Sequence, residues 1–333
     1  MSDGVTTASS VRSTDGVRER AVHWLLLGGN RTAVSAVLAG AFLAFFFLST
    51  QLGVLAIGPG SAAASAFASG LIAGTVTLVT ISLSINQLIL SRVFAPPNEL
   101  FDRLRGTRDL RSRIREHADE PAVPNDPAAF LDLAARTLTE HANRLGSAAE
   151  ATGSDRSRAV EDYAEGIAAY GESIASQVES QMAIVDLLQV ILGTAYADNL
   201  AATERVRFEY GDQLPDAAET ELDAIDDLLE AIAVTRQFFK TLSLQQDFAR
   251  LSRVVAYSGF VALAASIAMA LVYRPDAVTV PAASLPLLFS LSMGVVVTPL
   301  AVFIAYVFRA ATIARHTVSV GPFVPPEERS ADE

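Results

Sequence analysis

Four long apolar runs punctuate the chain: Ala33–Gly58, Ala62–Leu90, Val254–Tyr273 and Ser284–Phe308. None of them contains Asp, Glu, Lys, Arg or His. Each has about 20 residues or more, and at roughly 1.5 Å per residue that length crosses a hydrocarbon core of about 30 Å. A helix at a protein surface needs a polar face towards water, so charge-free stretches of this length point to lipid. The pattern predicts an all-α polytopic membrane protein with four transmembrane helices in two hairpins.

The predicted layout has five parts. Residues 1–32 form an N-terminal segment, mostly disordered, with a short interfacial helix around Ala21–Leu27. Residues 33–95 hold the first hairpin, with spans at about 33–57 and 62–90. An acidic helical domain occupies 96–253. The second hairpin covers 254–309, with spans at about 254–273 and 284–308, and a tail covers 310–333.

Within the inserted domain the punctuation is helical throughout, and the period-two alternation of strands is missing. Pro96-Pro97 ends the second span, and Asn98 is the expected N-cap of a helix reaching about His117. Three prolines make Asp119–Pro127 a loop. Asp126-Pro127 then opens a helix to about Ala151. Ser154 or Asp155 is the expected cap of a third helix, drawn as far as Tyr210, and Gly211–Pro215 breaks the chain again. From Asp216 an apolar stripe of Leu222, Ile225, Leu229 and Ile232 repeats at helical spacing. No turn signal follows before Val254, so this helix is expected to continue into the third span. Met182–Tyr196 is strongly apolar, but short, and carries Asp186. It reads as a buried bundle helix in preference to a re-entrant segment.

Charge divides the chain. Of its 333 residues, 51% are hydrophobic, and the mean hydropathy is +0.34. Yet residues 96–253 hold 29 acidic against 16 basic residues, a net charge of −13, while the remainder is close to neutral. Lys240 is the only lysine. An acidic, lysine-poor, alanine-rich surface suits molar salt, where repulsion is screened within about 3 Å; the composition points to a haloarchaeal source. The same acidity excludes nucleic acid as a partner, since phosphate binding needs a basic face. There are no cysteines, which removes disulfides and thiolate chemistry. His23, His117, His141 and His316 stand far apart and suggest no metal site.

The arginines set orientation, because basic residues stay on the cytoplasmic side. Arg18, Arg20 and Arg31 precede the first span, and Arg92, Arg103, Arg105 and Arg108 follow the second. Lys240, Arg250 and Arg253 precede the third, and Arg309 and Arg315 follow the fourth. The opposite side offers only the uncharged Gly58–Ser61 turn and a loop in which Asp276 balances Arg274. Both termini and the acidic domain are therefore expected in the cytoplasm of a protein of the cell membrane.

The second span carries the clearest candidate surface. Gly70, Gly74, Thr77, Thr80, Ser84, Gln87 and Ser91 recur at steps of three and four, which holds them on one broad helical face. Gly-x-x-x-Gly permits close backbone approach, and hydroxyls bond across helices, so the face suits helix packing. It also suits the lining of a pore in an oligomer. The lack of ionisable residues in all four runs favours packing.

The segment Ser84-Ile-Asn86-Gln87-Leu-Ile-Leu-Ser91-Arg92-Val-Phe94 resembles one found in uncharacterised haloarchaeal four-span membrane proteins. That resemblance covers about 30 residues and implies no specific function. In span order and insert size alone, the layout is also similar to bestrophin-type anion channels.

Six arginines follow the second span within 13 residues: Arg103, Arg105, Arg108, Arg111, Arg113 and Arg115. They are candidates for contact with anionic headgroups of the bilayer. Glu219, Asp223, Asp226, Asp227 and Glu230 read as a solvated acidic face, with cation binding as the alternative. Pro299 removes a backbone donor in the fourth span, so a kink is expected near Val295. No phosphate loop, zinc motif or nucleophile elbow is present, and neither enzymatic activity nor a cofactor is expected. The leading function is a structural or signalling membrane protein whose cytoplasmic bundle binds a protein partner. The alternative is a homo-oligomeric channel or transporter lined by the second span.

Overall fold

The computed structural model describes Thr7 and residues 16–57, 62–93, 96–151, 157–193, 195–273 and 280–315. The expectations for the N-terminal leader, the Gly58–Ser61 turn, caps at Ser154 or Asp155, the loop with Arg274 and Asp276, and the tail from His316 lie outside them. Among the described residues every regular element is helical. Four helices are long and apolar enough to cross a membrane: Arg31–Gln51, Ala63–Ser91, Asp216–Val272 and Ala282–Arg315.

The chain divides into two compact units. One comprises Val17–Ala95 and Leu244–Thr312. It opens with α1 (Val17–His23) and a π-helical turn at Trp24–Gly28. Asn30 then caps α2 (Arg31–Gln51), its side-chain oxygen accepting from the Thr32 amide at 2.9 Å. The second span runs through α3 (Ala63–Ser65), a π-helical stretch at Ala66–Leu71 and α4 (Ile72–Val93). The third is the later part of α10 (Asp216–Val272), and the fourth is α11 (Leu285–Arg315). α11 stays one helix through Pro299.

Aromatic rings fill one end of this unit. Phe67 stacks on Tyr273 with centroids 6.4 Å apart, and Phe289 meets both Phe67 and Phe46 edge-on at 5.8 Å. The Tyr273 hydroxyl donates to the Leu285 carbonyl at 2.5 Å, which satisfies the polar end of an otherwise buried ring. Leu251, Val255, Val302 and Tyr306 form a second core nearer the other end.

Backbones come close at two glycines. A Cβ on Gly259 of α10 would collide with Val79 of α4, and one on Gly294 of α11 would lie 2.9 Å from Leu43 Cδ1 of α2. α11 is the most buried of the four candidate spans, and α2 and the second span are the most exposed.

The other unit is built, among the described residues, mainly from Pro96–Ser243. α5 (Pro97–His117) starts two residues earlier than expected. Pro97 occupies its first turn and Pro96 its cap position, so Asn98 lies inside the helix and is not the cap; proline's fixed φ suits that opening turn. Asp126 caps α6 (Pro127–Glu150) by accepting from the amides of Ala128 at 3.0 Å and Ala129 at 2.9 Å. α7 (Ser157–Gln177) packs along α6, and Gly171 lets them touch: a Cβ there would lie 2.7 Å from the Ala135 carbonyl oxygen.

The single helix drawn to Tyr210 is three helices instead. After α7 the chain turns, with Gln181 in the left-handed region at φ 66°, before α8 (Ile184–Val190) and α9 (Ala195–Tyr210). Leu187 and Leu188 of α8 are buried, and α8 and α9 meet at 46°. The apolar run at Met182–Tyr196 falls on α8 and the start of α9, a bent pair that by length and composition also fits a broken span or re-entrant segment. Leu222, Ile225, Leu229 and Ile232 of α10 are all at most 1% exposed, as their spacing predicts. Each buried aliphatic side chain of this kind contributes roughly 1.5–3 kcal/mol. α10 continues without interruption from Asp216 to Val272, as the lack of a turn signal implied.

Several polar side chains in this core are tied to partners. The Tyr163 hydroxyl bonds Thr203 Oγ1 at 2.6 Å, and Arg236 donates to the Leu192 carbonyl at 3.2 Å while its guanidinium lies 4.6 Å from the Tyr196 ring centroid. Burial pushes the Tyr163 and Tyr170 phenols well above their ordinary range, which keeps both protonated.

Candidate functional site

Three groups of side chains follow from these elements. The first is the face of the second span. Gly70, Gly74, Thr77, Thr80, Ser84, Gln87 and Ser91 are all exposed, and nothing lies within 4 Å of a Cβ placed on Gly70 or Gly74. The buried side of the same span carries Phe67, Thr75 and Ser82 instead. The outward hydroxyls are bonded to their own helix: Thr77 to the Ala73 carbonyl at 2.9 Å, Thr80 to Val76 at 2.9 Å, Ser84 to Thr80 at 3.0 Å. Such bonds satisfy the hydroxyls where no water is present. The seven residues thus share one face, and that face meets no other described helix.

The second group is a buried ionic clasp that the sequence reading passed over. Asp247 of α10 and Arg309 of α11 form a two-pronged ion pair through Arg309 Nε (2.6 Å to Asp247 Oδ2) and Arg309 Nη2 to Oδ1. They are 4% and 5% exposed. Arg31, at the start of α2 and 3% exposed, adds a second cation. Its guanidinium donates to the carbonyls of Gly29 (2.7 and 2.9 Å), Leu25 (3.0 Å), Trp24 (3.2 Å), Leu27 (3.4 Å) and Ala305 (3.2 Å). The π-helical turn brings these carbonyls around one point, where the guanidinium lies. Arg309 also lies 5.8 Å from the Tyr306 ring centroid. The clasp ties the start of the first span, the approach to the third and the end of the fourth together at one level. Arg31 and Arg309 were visible as orientation marks. Asp247, six residues before Arg253, was the missed signal, a lone acid where the helix approaches the membrane.

The third group is in the helical unit. The six arginines of α5 separate into two sets. Arg111 donates to the carbonyls of Pro124 (2.8 Å) and Val123 (2.5 Å), pinning the proline-rich loop. Arg113 pairs with Glu230 at 2.9 Å and Asp227 at 3.6 Å, and Arg115 donates to Ser112 at 3.2 Å. Arg103, Arg105 and Arg108 lie on exposed turns, with Arg103 3.8 Å from Glu99 and Arg105 4.0 Å from Asp102. The acidic cluster of α10 is engaged as well: Asp223 and Asp226 bind Arg207 at 2.8 and 3.2 Å. These carboxylates serve interhelical ion pairs in addition to forming a solvated face.

His117 and His141, far apart in sequence, meet edge-to-face at 5.6 Å. His141 Nδ1 is 2.5 Å from Glu221 Oε2, and its Nε2 is 3.0 Å from the His117 carbonyl oxygen. Both ring nitrogens of His141 thus have an oxygen within hydrogen-bond reach, and these contacts fix the ring between α5 and α10. His117 Nε2 reaches Asp227 at 3.1 Å. An open groove of about 470 Å³ lies between α6 and α7, floored by Ala142, Gly146 and Ala164 and edged by Glu150, Glu161, Glu165 and Glu172.

Residues 2–333 match a family described as a family of unknown function (DUF7972). No curated protein and no solved structure matches the chain.

Proposed function

The chain belongs to the DUF7972 family, and from that premise we propose that it is a homo-oligomeric membrane protein of structural or signalling role, its copies meeting along the outward face of the second span. The observation that carries this is the position of Gly70, Gly74, Thr77, Thr80 and Ser84 on a membrane-crossing helix where no other described helix covers them. Two copies of a small-residue face approach closely, and van der Waals packing with interhelical hydrogen bonds drives association in lipid. A continuous α10 offers the helical unit a direct mechanical route into the third span. In this reading the acidic unit is cytoplasmic and works in high salt, and its groove between α6 and α7 receives a soluble partner bearing basic side chains. No catalytic step is assigned, since no motif for one stands in the sequence.

A channel is the second reading, favoured by the run of hydroxyl and amide side chains on that same exposed face. The bestrophin-like order of spans and insert is compatible with it, as an analogy of layout.

The cysteine-free chain makes the test direct. Ser84→Cys should cross-link to dimers under mild oxidation in membranes, and Leu43→Cys, which faces Gly294, should not. Equal cross-linking at both positions, or none at Ser84, would sink the assignment. Orientation is read with impermeant thiol reagents on intact cells. Gly60→Cys should label from outside and Ser154→Cys should not; the reverse outcome would place the acidic unit outside. Ion flux through reconstituted protein, altered by Thr80→Val, would promote the channel.

A further inference from the structure

The first half of α5 is exposed along its whole length. From Pro97 to Asp109 every residue is exposed, and the first buried side chain of this helix is Ile114. Isolated helices of about 12–15 residues are marginal in water, so this stretch needs a surface to hold it. Its side chains say which surface. Leu100, Phe101 and Leu104 are 49%, 63% and 49% exposed. At about 100° per residue they fall within one arc of roughly 100°. Arg103 and Arg105 flank that arc on either side, and Arg108 extends it by one turn. Glu99, Asp102 and Asp109 all project from the opposite side. Apolar residues in the centre, cations at the edges and acids behind are the ordering of a helix lying in a membrane interface.

Chain connectivity supplies the second argument. Ser91 ends the second candidate span, and Leu100 follows nine residues later. The bilayer surface is therefore the nearest large apolar–anionic surface available to it.

We propose that residues Pro97–Asp109 form an interfacial helix that docks on anionic lipid, with Leu100, Phe101 and Leu104 in the headgroup–acyl boundary and Arg103, Arg105 and Arg108 on lipid phosphates. Phosphate and acyl chain are read by the same face, which distinguishes a bilayer from a soluble anion. The six arginines do not act together: Arg111 holds the proline-rich loop and Arg113 pairs with α10, while Arg103, Arg105 and Arg108 lie on the exposed half of the helix beside its apolar arc. This inference rests on the four helices being membrane spans, and not on how copies assemble.

Spin labels on the full-length protein test it. Single cysteines at Phe101 and Asp109 are labelled and the protein is placed in bilayers containing phosphatidylglycerol. A third label at Leu83, exposed on α4, reports whether the span itself is in lipid. The expected result is oxygen-favoured accessibility at positions 83 and 101, with nickel-complex accessibility at 109. Each arginine near an anionic surface strengthens binding about fivefold. Arg103→Gln/Arg105→Gln/Arg108→Gln, or phosphatidylcholine alone, should therefore shift the label at 101 towards water and leave that at 83 unchanged. Water-like accessibility at both 101 and 109 in anionic bilayers overturns the proposal. So does spin–spin broadening at 101 that ignores lipid charge, which would identify a second copy as the cover. A water-like label at 83 would instead overturn the membrane reading on which the proposal depends.

Discussion

Asp247→Asn should destabilise the membrane-spanning unit by about 3–5 kcal/mol, the cost of stripping a buried cation of its counter-charge. In the native chain the carboxylate is 4% exposed and engages both Nε and Nη2 of Arg309. Asparagine keeps the shape but offers one neutral oxygen, so two guanidinium groups remain with no formal negative charge between them. Arg31 tolerates this better than Arg309, because its charge is spread over five backbone carbonyls. The double replacement Asp247→Leu/Arg309→Leu should consequently be milder than Asp247→Asn alone. Thermal unfolding in detergent, followed by loss of the monodisperse peak, reads both. A wild-type midpoint for Asp247→Asn would show that the pair contributes nothing to stability.

The second large effect separates glycines that the sequence presents as equals. Gly259→Leu and Gly294→Leu should each lower stability by about 1–3 kcal/mol or more, since added side-chain atoms at these crossings force helices apart. Gly259 is the more severe, because its neighbour Val79 is β-branched and cannot rotate away. Gly70→Leu and Gly74→Leu meet open space and should leave the unfolding midpoint of the protomer unchanged. They should alter the oligomeric mass in nanodiscs. Loss of protomer stability at Gly70, or indifference at Gly259, would contradict the packing.

The spans, the loop at Asp119–Pro127, the cap at Asp126 and the stripe from Leu222 to Ile232 were legible because each rests on local chemistry: charge-free length, proline, a short polar acceptor, a 3.6-residue period. The turn between α7 and α8 was not legible. It is made by Gln181 in a left-handed conformation without the glycine or asparagine that usually marks one. The Gly-x-x-x-Gly pair shows the limit on the site. Spacing placed Gly70 and Gly74 on one face correctly, but only packing reveals that the face looks outward while Gly259 and Gly294, without such a motif, carry the close crossings. Asp247 was hidden for a related reason. A single acid acquires meaning from an arginine 62 residues later, and that pairing is a property of the fold.

The backbone cage around Arg31 bears on how the chain is made. Its bond to Ala305 joins groups 274 residues apart. At about 5–20 residues per second, a ribosome needs roughly 15–55 s to cover that interval. During that time the first hairpin sits in the membrane without α11. Four of the five carbonyls that hold the guanidinium come from Trp24, Leu25, Leu27 and Gly29, all translated before Arg31 itself. The nascent first span therefore carries its own means of sheltering the charge, and the arrival of the last helix completes a cage that was already mostly closed.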